Sequence, residues 1–166
     1  MQGERVLYSS ESGDWCTPRD LYDVLDREFD FTLDAAADNK NALCEKFFTE
    51  YDSAFENDWT GRIFCNPPYG RGVDKWVYRA CTEIGNGHAD LVVMLLAARV
   101  DRILFHDCVM SHATEVRFIR GRLHFSGHKD PAGFPSMVVV WRPSRVLNGP
   151  RVWSWNWKSE IQPRHP

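Results

Sequence analysis

The stretch Ile63-Phe64-Cys65-Asn66-Pro67-Pro68-Tyr69-Gly70 is the strongest structural signal in this chain. Its first half is an apolar run typical of a strand. Its second half cannot continue one, because proline lacks the backbone N–H and holds φ at about −65°. The sequence therefore predicts a strand that ends at Asn66 and leaves the sheet in a stiff turn. We expect that turn to place the Asn66 amide, the Pro67 carbonyl and the Tyr69 ring at the carboxyl end of a strand, where ligands bind in open α/β sheets.

The composition indicates one globular domain. The chain has 166 residues, 43% of them apolar, which is enough to form a single buried core. No apolar run approaches the roughly 20 residues of a membrane span, and the amino terminus lacks the pattern of a signal peptide. The five cysteines are an odd number without a C-x-x-C pair, which favours reduced thiols over a disulfide framework or a zinc site. We expect a cytoplasmic protein with no membrane association.

Helix and strand signals alternate along the chain. Thr17 as N-cap and Pro18 as the first helical residue predict a helix whose apolar positions continue to Phe29. Further helices are expected over about 39–46, 76–84 and 103–112, and strands over 31–33, 47–49, 63–66, 90–98, 116–125, 137–141 and, as an edge strand, 153–157. The uninterrupted apolar run at 91–96 is typical of a central strand covered on both faces.

This alternation predicts an α/β domain over residues 15–142. We expect a mobile lead-in over 1–14 and a Trp-rich extension over 143–166 that packs on the domain or pairs with it. The charges are unevenly distributed: residues 1–62 hold 6 Lys/Arg against 15 Asp/Glu, and residues 63–166 hold 14 against 8. The basic half is compatible with a polyanionic partner, and equally with solvated charges scattered over the surface.

Six short motifs carry a resemblance to a known family. They are Trp15-x-Thr17-Pro18, Leu33-Asp34-Ala35-Ala36-Ala37, Asn66-Pro67-Pro68-Tyr69, Ala98-Arg99-x-Asp101, Ile119-x-Gly121-Arg122-Leu123-x-Phe125 and Phe134-Pro135-Ser136. In this order they resemble the phage-type Dam-like DNA adenine-N6 methyltransferases. The resemblance implies a compact Rossmann-like fold that uses S-adenosylmethionine and has no separate target-recognition domain. It also implies a phage or prophage origin and methylation of N6 of adenine in double-stranded DNA. Whether that methylation serves restriction-modification, as protection from restriction, or regulation stays open.

The catalytic residues implied by the resemblance are Asn66, Pro67, Pro68 and Tyr69. The Asn66 side-chain oxygen and the Pro67 carbonyl would accept the two N–H bonds of the adenine amino group and stabilise the positive charge that develops on its nitrogen. Tyr69 would stack on a base taken out of the duplex, and no covalent intermediate is needed. Cys65 is expected to be a buried strand residue rather than a nucleophile.

The cofactor contacts implied by the resemblance are spread along the first half of the chain. They are Trp15, Thr17, Pro18, Asp34, Ala36, Asp58, Trp59 and Asn66. Asp34 would face the positively charged methionine end of the cofactor, and Ala36 belongs to the run of alanines that stands where the family has a Gly-rich loop. For Asp34 a turn or cap role is the alternative, and for Asp58 and Trp59 a loop carboxylate and a core indole.

Four basic residues are expected to contact DNA, namely Arg99, Arg120, Arg122 and Lys129. Arg117 and His124 extend this predicted strip, whose alternative is a solvated strand face. His106, Cys108 and His112 do not have the spacing of a metal site, so no metal is expected.

Three other functions remain open at this point. The same tetrapeptide is compatible with methylation of RNA guanine or of a protein glutamine amide, and the chain is also compatible with a catalytically silent DNA-binding module. With no recognition domain, sequence specificity would come from loop 126–135, from the tail, or from a partner. A homo-oligomer is possible, although nothing in the sequence indicates one.

Overall fold

The computed structural model describes residues 15–49, 54–70, 72–144 and 148–163, so the lead-in predicted over 1–14 lies outside the described residues. The elements in chain order are α1 (Arg19–Phe29), β1 (Leu33–Asp34), β2 (Gly61–Cys65), α2 (Val73–Gly85), β3 (Ala89–Ala97), a π-helix (Phe105–Met110), β4 (Glu115–Ile119), β5 (Ser136–Trp141), β6 (Arg151–Trp155) and a 3-10 helix (Trp157–Glu160). No helix in this part of the chain is long and apolar enough to cross a membrane.

The six strands form one mixed sheet in the order β1-β2-β3-β5-β4-β6. Strands β1, β2 and β3 are parallel neighbours, β5 is antiparallel to both β3 and β4, and β6 is parallel to β4. Five strands therefore end at the same edge of the sheet, and the reversed strand β5 begins there. We call this the carboxyl edge. The predicted α/β class is confirmed.

The sheet is buried on both faces because successive side chains of each strand point to opposite sides. Ile63 and Cys65 of β2 pack in the core cluster that contains residues of α2 and the π-helix. Phe64, between them, packs in the cluster that contains the apolar face of α1. In β3, residues 91–96 are all buried. This confirms the predicted central strand.

The helix predicted over 39–46 is wrong. This segment forms turns and bends. The Leu43 N–H, which in a helix would donate to the Asn39 carbonyl, donates to the Asp34 carboxylate at 3.2 Å. The Asp38 carboxylate accepts hydrogen bonds from the N–H groups of Lys40, at 2.6 Å, and Asn41, at 3.0 Å. The strand predicted over 47–49 is a single parallel bridge between Phe47 and Asp34.

The start of α1 also differs from the prediction. The helix begins at Arg19 with Pro18 at the N-cap position, and no side chain caps it. Thr17 is therefore not the N-cap, and its buried hydroxyl is used elsewhere, as described below.

The strand predicted over 116–125 ends at Ile119. Gly121 has φ of +80°, a left-handed conformation that glycine adopts easily, and the chain turns out of the ladder there. Ser126 then forms an antiparallel bridge with Cys16, which joins the residues before α1 to the carboxyl edge. The predicted edge strand in the tail is confirmed as β6, whose last residue, Trp155, is buried.

Candidate active site

Asn66 follows the last residue of β2 and is held at the carboxyl edge by two hydrogen bonds. Its amide Nδ2 donates to the Trp15 carbonyl at 2.9 Å and to the Thr17 hydroxyl at 3.0 Å. Because a carbonyl oxygen can only accept, these bonds fix which end of the amide faces the residues before α1. The other end, Oδ1, is buried and has no hydrogen-bond partner among the described residues. The site therefore contains an oriented acceptor available to a ligand donor.

The two prolines and Tyr69 form the predicted elbow. Pro67 is buried, and the Tyr69 ring packs against Phe134 at a centroid distance of 5.0 Å and against Phe125 at 5.8 Å. Burial raises the pKa of the Tyr69 hydroxyl well above its usual value, and the nearby Cys65 adds to this effect. Tyr69 is therefore neutral at physiological pH. Its hydroxyl, like Asn66 Oδ1, has no hydrogen-bond partner within the described part of the chain.

Trp15 completes this aromatic group from the segment before α1. Its indole stacks on the His128 ring at a centroid distance of 4.2 Å and lies 5.3 Å from Phe134. Trp15 and the loop over 126–135 are thus packed together beside Tyr69. The aromatic lining offers flat apolar surfaces of the kind that a nucleobase stacks on.

A cleft of about 310 Å³ opens beside Asn66. Among its lining residues are Trp15, Thr17, Asp34, Ala36 and Asn66, all of which were predicted to contact the cofactor. The structure therefore brings five of the eight predicted cofactor residues together. The cleft lies at the carboxyl ends of two neighbouring parallel strands, β1 and β2.

Asp34, the last residue of β1, is the one buried acidic side chain of this cleft. Its carboxylate oxygens accept hydrogen bonds from the backbone N–H groups of Ala36, at 3.3 Å, and Leu43, at 3.2 Å. Burial raises the pKa of Asp34 to about 6, although the two N–H donors oppose this shift. At pH 7 the carboxylate is mainly ionised, and burial leaves it poorly solvated. Such a group favours a bound cation.

Ala35 and Ala36 directly follow β1. The Ala35 N–H donates to the Phe64 carbonyl at 2.9 Å, which continues the ladder between β1 and β2. Ala36 is half-buried and lines the cleft. Small side chains at this point leave the space beside Asp34 open.

Three predicted cofactor residues lie elsewhere. Pro18 lines a second cleft, of about 320 Å³, together with residues that follow β4 and with Trp157. Asp58 and Trp59 precede β2, so they lie at the opposite edge of the sheet. The Trp59 side chain is fully buried and donates its indole N–H to the Ala54 carbonyl at 2.8 Å. The prediction of a cofactor contact for these two residues disagrees with their placement, because a strand separates them from the cleft.

Asp58 belongs to a group of polar side chains at that opposite edge. Asp58, Glu83 and His88 offer ligand atoms within 4.8 Å of one another. However, Glu83 is already bound by Arg79, at 2.7 Å, and by the Trp59 backbone N–H, at 3.1 Å. The group is therefore an ion-pair network that ties α2 to the start of β2.

The predicted DNA contacts Arg99, Arg120, Arg122 and Lys129 are all exposed. Arg99 follows β3 by two residues, Arg120 and Arg122 follow β4, and Lys129 lies in the loop before β5. All four therefore lie at the carboxyl edge, as the active-site hypothesis requires. This placement does not itself show a contact with DNA.

Arg117 does not belong to that strip. Its side chain is 5% exposed and pairs with Glu28 at 2.6 Å and Glu115 at 2.7 Å. Its guanidinium also lies 5.1 Å from the centres of the Phe29 and Trp153 rings. Arg117 is therefore a structural residue that joins α1, β4 and β6.

Several residues of the cleft were not among the predicted site residues. Arg19, Lys40, Asn41 and Leu43 also line it, and three of them come from the segment that was predicted to be a helix. The Asp-Asn-Lys-Asn run at 38–41, typical of a turn, was the signal that could have found them.

Comparison with known proteins agrees with this site. Residues 6–159 match the family described as DNA N-6-adenine-methyltransferase (Dam). A DNA N-6-adenine-methyltransferase of Escherichia phage T1 is 30% identical over 112 residues, which make up 66% of this chain and 45% of that relative. The match thus spans less than half of the relative's length. Since the family match covers most of the chain, the chain belongs to the DNA N-6-adenine-methyltransferase (Dam) family.

Proposed function

We propose that this protein transfers a methyl group from S-adenosylmethionine to the N6 amino group of adenine in DNA. The observation that carries this proposal is the oriented, unpartnered Asn66 Oδ1 at the end of β2. Family membership makes adenine the expected substrate, and the site supplies the acceptor that an adenine amino group needs.

Methyl transfer to N6 requires more than placing the methyl donor close to the amino group. The N6 lone pair is delocalised into the purine ring, so N6 is a weak nucleophile. Two acceptors aimed at its two N–H bonds favour a geometry in which the lone pair points toward the methyl donor. Asn66 Oδ1 is the first acceptor, and the Pro67 carbonyl on the rigid elbow is the second. Methyl transfer forms the N–C bond, breaks the S–C bond and leaves positive charge on N6 until a proton departs, so both acceptors stabilise the transition state.

The cleft beside Asn66 fits the methyl donor. S-adenosylmethionine bound there would supply a methyl group on a positively charged sulfur. Asp34 would provide the opposite charge, Trp15 and Thr17 would bound the cleft next to Asn66, and Ala36 would leave room beside β1. The buried carboxylate is the feature that best supports this assignment, because a cation stabilises its ionised form.

The strand arrangement supports a Rossmann-like methyltransferase fold. Parallel strands β1, β2 and β3 with a cleft at their carboxyl ends are typical of nucleotide-binding α/β folds. We propose double-stranded DNA as the partner, approaching the carboxyl edge where the four exposed basic residues lie. Loop 126–135, which packs against Trp15, is then placed to influence which adenines are accepted. The proposed setting is the cytoplasm of a bacterium that hosts a phage.

The test compares substrate classes. The protein is incubated with methyl-labelled S-adenosylmethionine and, in parallel, duplex DNA, single-stranded DNA, RNA or a glutamine-containing protein, and each product is digested and identified. Label in N6-methyladenine from duplex DNA is expected. Label in guanine of RNA or in glutamine would replace the proposal with one of those activities, and cofactor binding without transfer to any substrate would contradict an enzymatic function.

A further inference from the structure

Ser136 has a buried hydroxyl group with no role in the fold or in the proposed reaction. Its side chain is 1% exposed, and its Oγ has no hydrogen-bond partner among the residues that the structure describes. The backbone groups around Ser136 have hydrogen-bond partners. The Ala98 N–H donates to the Pro135 carbonyl at 2.8 Å, and Ser136 pairs with Ala97 in the sheet. A buried hydroxyl without a partner is unfavourable for folding compared with alanine at the same position. The hydroxyl therefore indicates a ligand.

The position of Ser136 follows from the reversal of β5. It is the first residue of β5 and pairs with Ala97, the last residue of β3. Since β5 runs antiparallel to β3, Ser136 lies at the carboxyl edge, the same edge as Asn66. Cys65 pairs with Met94 and Ser136 with Ala97, so Asn66 and Ser136 are offset by two strands and by two residues along the strand direction. With about 4.8 Å between strands and about 3.3 Å between residues, they lie roughly 12 Å apart.

Ser136 also lies on the same face of the sheet as Asn66. Along β5, Val138 and Val140 pack in the α1 cluster, whereas Met137 and Val139 pack in the α2 cluster. By this alternation the Ser136 side chain is on the α1 face. Asn66 is on that face as well, because its amide bonds Trp15 and Thr17, which precede α1.

Small and aromatic residues lie near Ser136 on this face of the sheet. Ala97, the partner of Ser136 in β3, has only a methyl group on this face. Phe134, two residues before Ser136, packs on Tyr69 at a centroid distance of 5.0 Å. This edge of the sheet therefore combines an amide oxygen, a hydroxyl and aromatic rings, which is the set of groups that binds an unstacked base.

We propose that the Ser136 hydroxyl donates a hydrogen bond to a ring nitrogen of the adenine whose amino group faces Asn66. The inference rests on the proposed function and makes it more specific. Adenine presents amino N–H donors and ring-nitrogen acceptors, so an acceptor at Asn66 and a donor at Ser136 match the two kinds of group. A pocket built this way binds a base through both ends and holds N6 in line with the methyl donor.

The first experiment uses Ser136→Ala, with Ser111→Ala as the matched control. The Ser111 hydroxyl is exposed, lies before β4 at the other edge of the sheet and donates to the His106 carbonyl at 2.8 Å. We expect Ser136→Ala to lower kcat/KM for duplex DNA by about tenfold, to leave the cofactor dissociation constant unchanged and to melt at or above the wild-type temperature. Ser111→Ala should keep the wild-type kcat/KM. A Ser136→Ala enzyme that methylates at the wild-type rate would overturn the assignment, and so would a lowered melting temperature with unchanged kcat/KM.

The second experiment identifies the bonded nitrogen. Duplexes carrying 1-deaza-, 3-deaza- or 7-deazaadenine at the target position are methylated by the wild type and by Ser136→Ala. One analogue should slow the wild type by about tenfold and leave Ser136→Ala unaffected, because the hydrogen bond is already absent in that variant. If every analogue slows both proteins equally, Ser136 does not contact the base. A wild type that transfers no methyl group to DNA would contradict the proposed function and this inference together, whereas an active wild type with equal effects would contradict only the inference.

Discussion

Replacing Asp34 by asparagine should make the protein more stable at neutral pH while weakening its affinity for the cofactor. The carboxylate is 3% exposed, and burial raises its pKa from the ordinary 3.8 to about 6. A carboxyl group whose pKa is higher in the folded protein than in the unfolded chain favours folding when it is protonated. Its unfavourable contribution is therefore small below pH 4, grows between pH 4 and pH 6, and is complete above pH 6.

The magnitude follows from the two pKa values. The interval between 3.8 and about 6 corresponds to about 3 kcal/mol at pH 7, at about 1.4 kcal/mol for each pKa unit. Asparagine keeps one acceptor for the N–H groups of Ala36 and Leu43 but loses the second, which costs about 1 kcal/mol at any pH. Asp34→Asn should thus be more stable than the wild type by about 2 kcal/mol at pH 7, and slightly less stable at pH 4.

Urea unfolding of both proteins at pH 4, 5, 6 and 7 measures this difference. Asp90→Asn is the matched control, since Asp90 is exposed and lies near the start of β3, at the edge of the sheet opposite to the cleft. Isothermal titration should show S-adenosylmethionine binding to Asp34→Asn at least tenfold more weakly than to the wild type. A stability difference that does not change with pH would refute the reasoning about burial, and unchanged cofactor affinity would remove Asp34 from the cofactor site.

The remaining predictions concern the orientation of the Asn66 amide, the buried Arg117 and the exposed Arg122. Thr17→Val removes one of the two acceptors that hold the Asn66 amide, so kcat should fall about tenfold. Thr17→Ser keeps the hydroxyl and should restore kcat. Equal kcat values for the two variants would show that the hydroxyl does not orient Asn66. Arg117→Leu breaks a buried ion-pair network and should lower the free energy of unfolding by about 3 kcal/mol without altering DNA affinity. Arg122→Ala should leave stability unchanged and reduce the salt dependence of DNA binding by about one counterion. If Arg117→Leu also reduces the salt dependence, Arg117 contacts DNA and its purely structural role is wrong.

The sequence predicted the elements whose signals are local and unambiguous. The turn after β2 followed from two prolines that cannot extend a strand, and β3 followed from an apolar run too long for a half-exposed strand. The edge strand β6 followed from alternating tryptophans. In each case the property that decides the structure is contained within a few neighbouring residues.

The errors share a cause, which is competition between local signals and distant partners. Residues 39–46 had helix-compatible composition, but the carboxylate of Asp34 takes the backbone N–H of Leu43 that a helix would use. Thr17 had the right type and position for an N-cap, yet its hydroxyl binds Asn66, 49 residues away in the sequence. Such outcomes depend on where the chain folds back, which one sequence does not display.

The structure brings predicted site residues together where they directly end a strand and separates them where they precede one. Asn66 and Asp34 end β2 and β1, so topology alone places them at one edge of the sheet. Asp58 and Trp59 precede β2, and the same topology places them at the other edge. The direction of β2 therefore argues against a cofactor site that Asp58 and Trp59 share with Asn66 and Asp34. The partner-less Ser136 hydroxyl, by contrast, was visible only once the burial and reversal of β5 were known.

The most direct test of the central claim measures N6-methyladenine in duplex DNA formed by the wild type, by Asn66→Ala and by the neighbouring control Cys65→Ala under single-turnover conditions. Removal of the oriented acceptor predicts a fall of at least a hundredfold in the single-turnover rate for Asn66→Ala at saturating cofactor. Cys65→Ala, which changes only packing on the opposite face, should remain active. N6-methyladenine formed by Asn66→Ala at the wild-type rate would contradict the claim that the Asn66 oxygen carries the reaction.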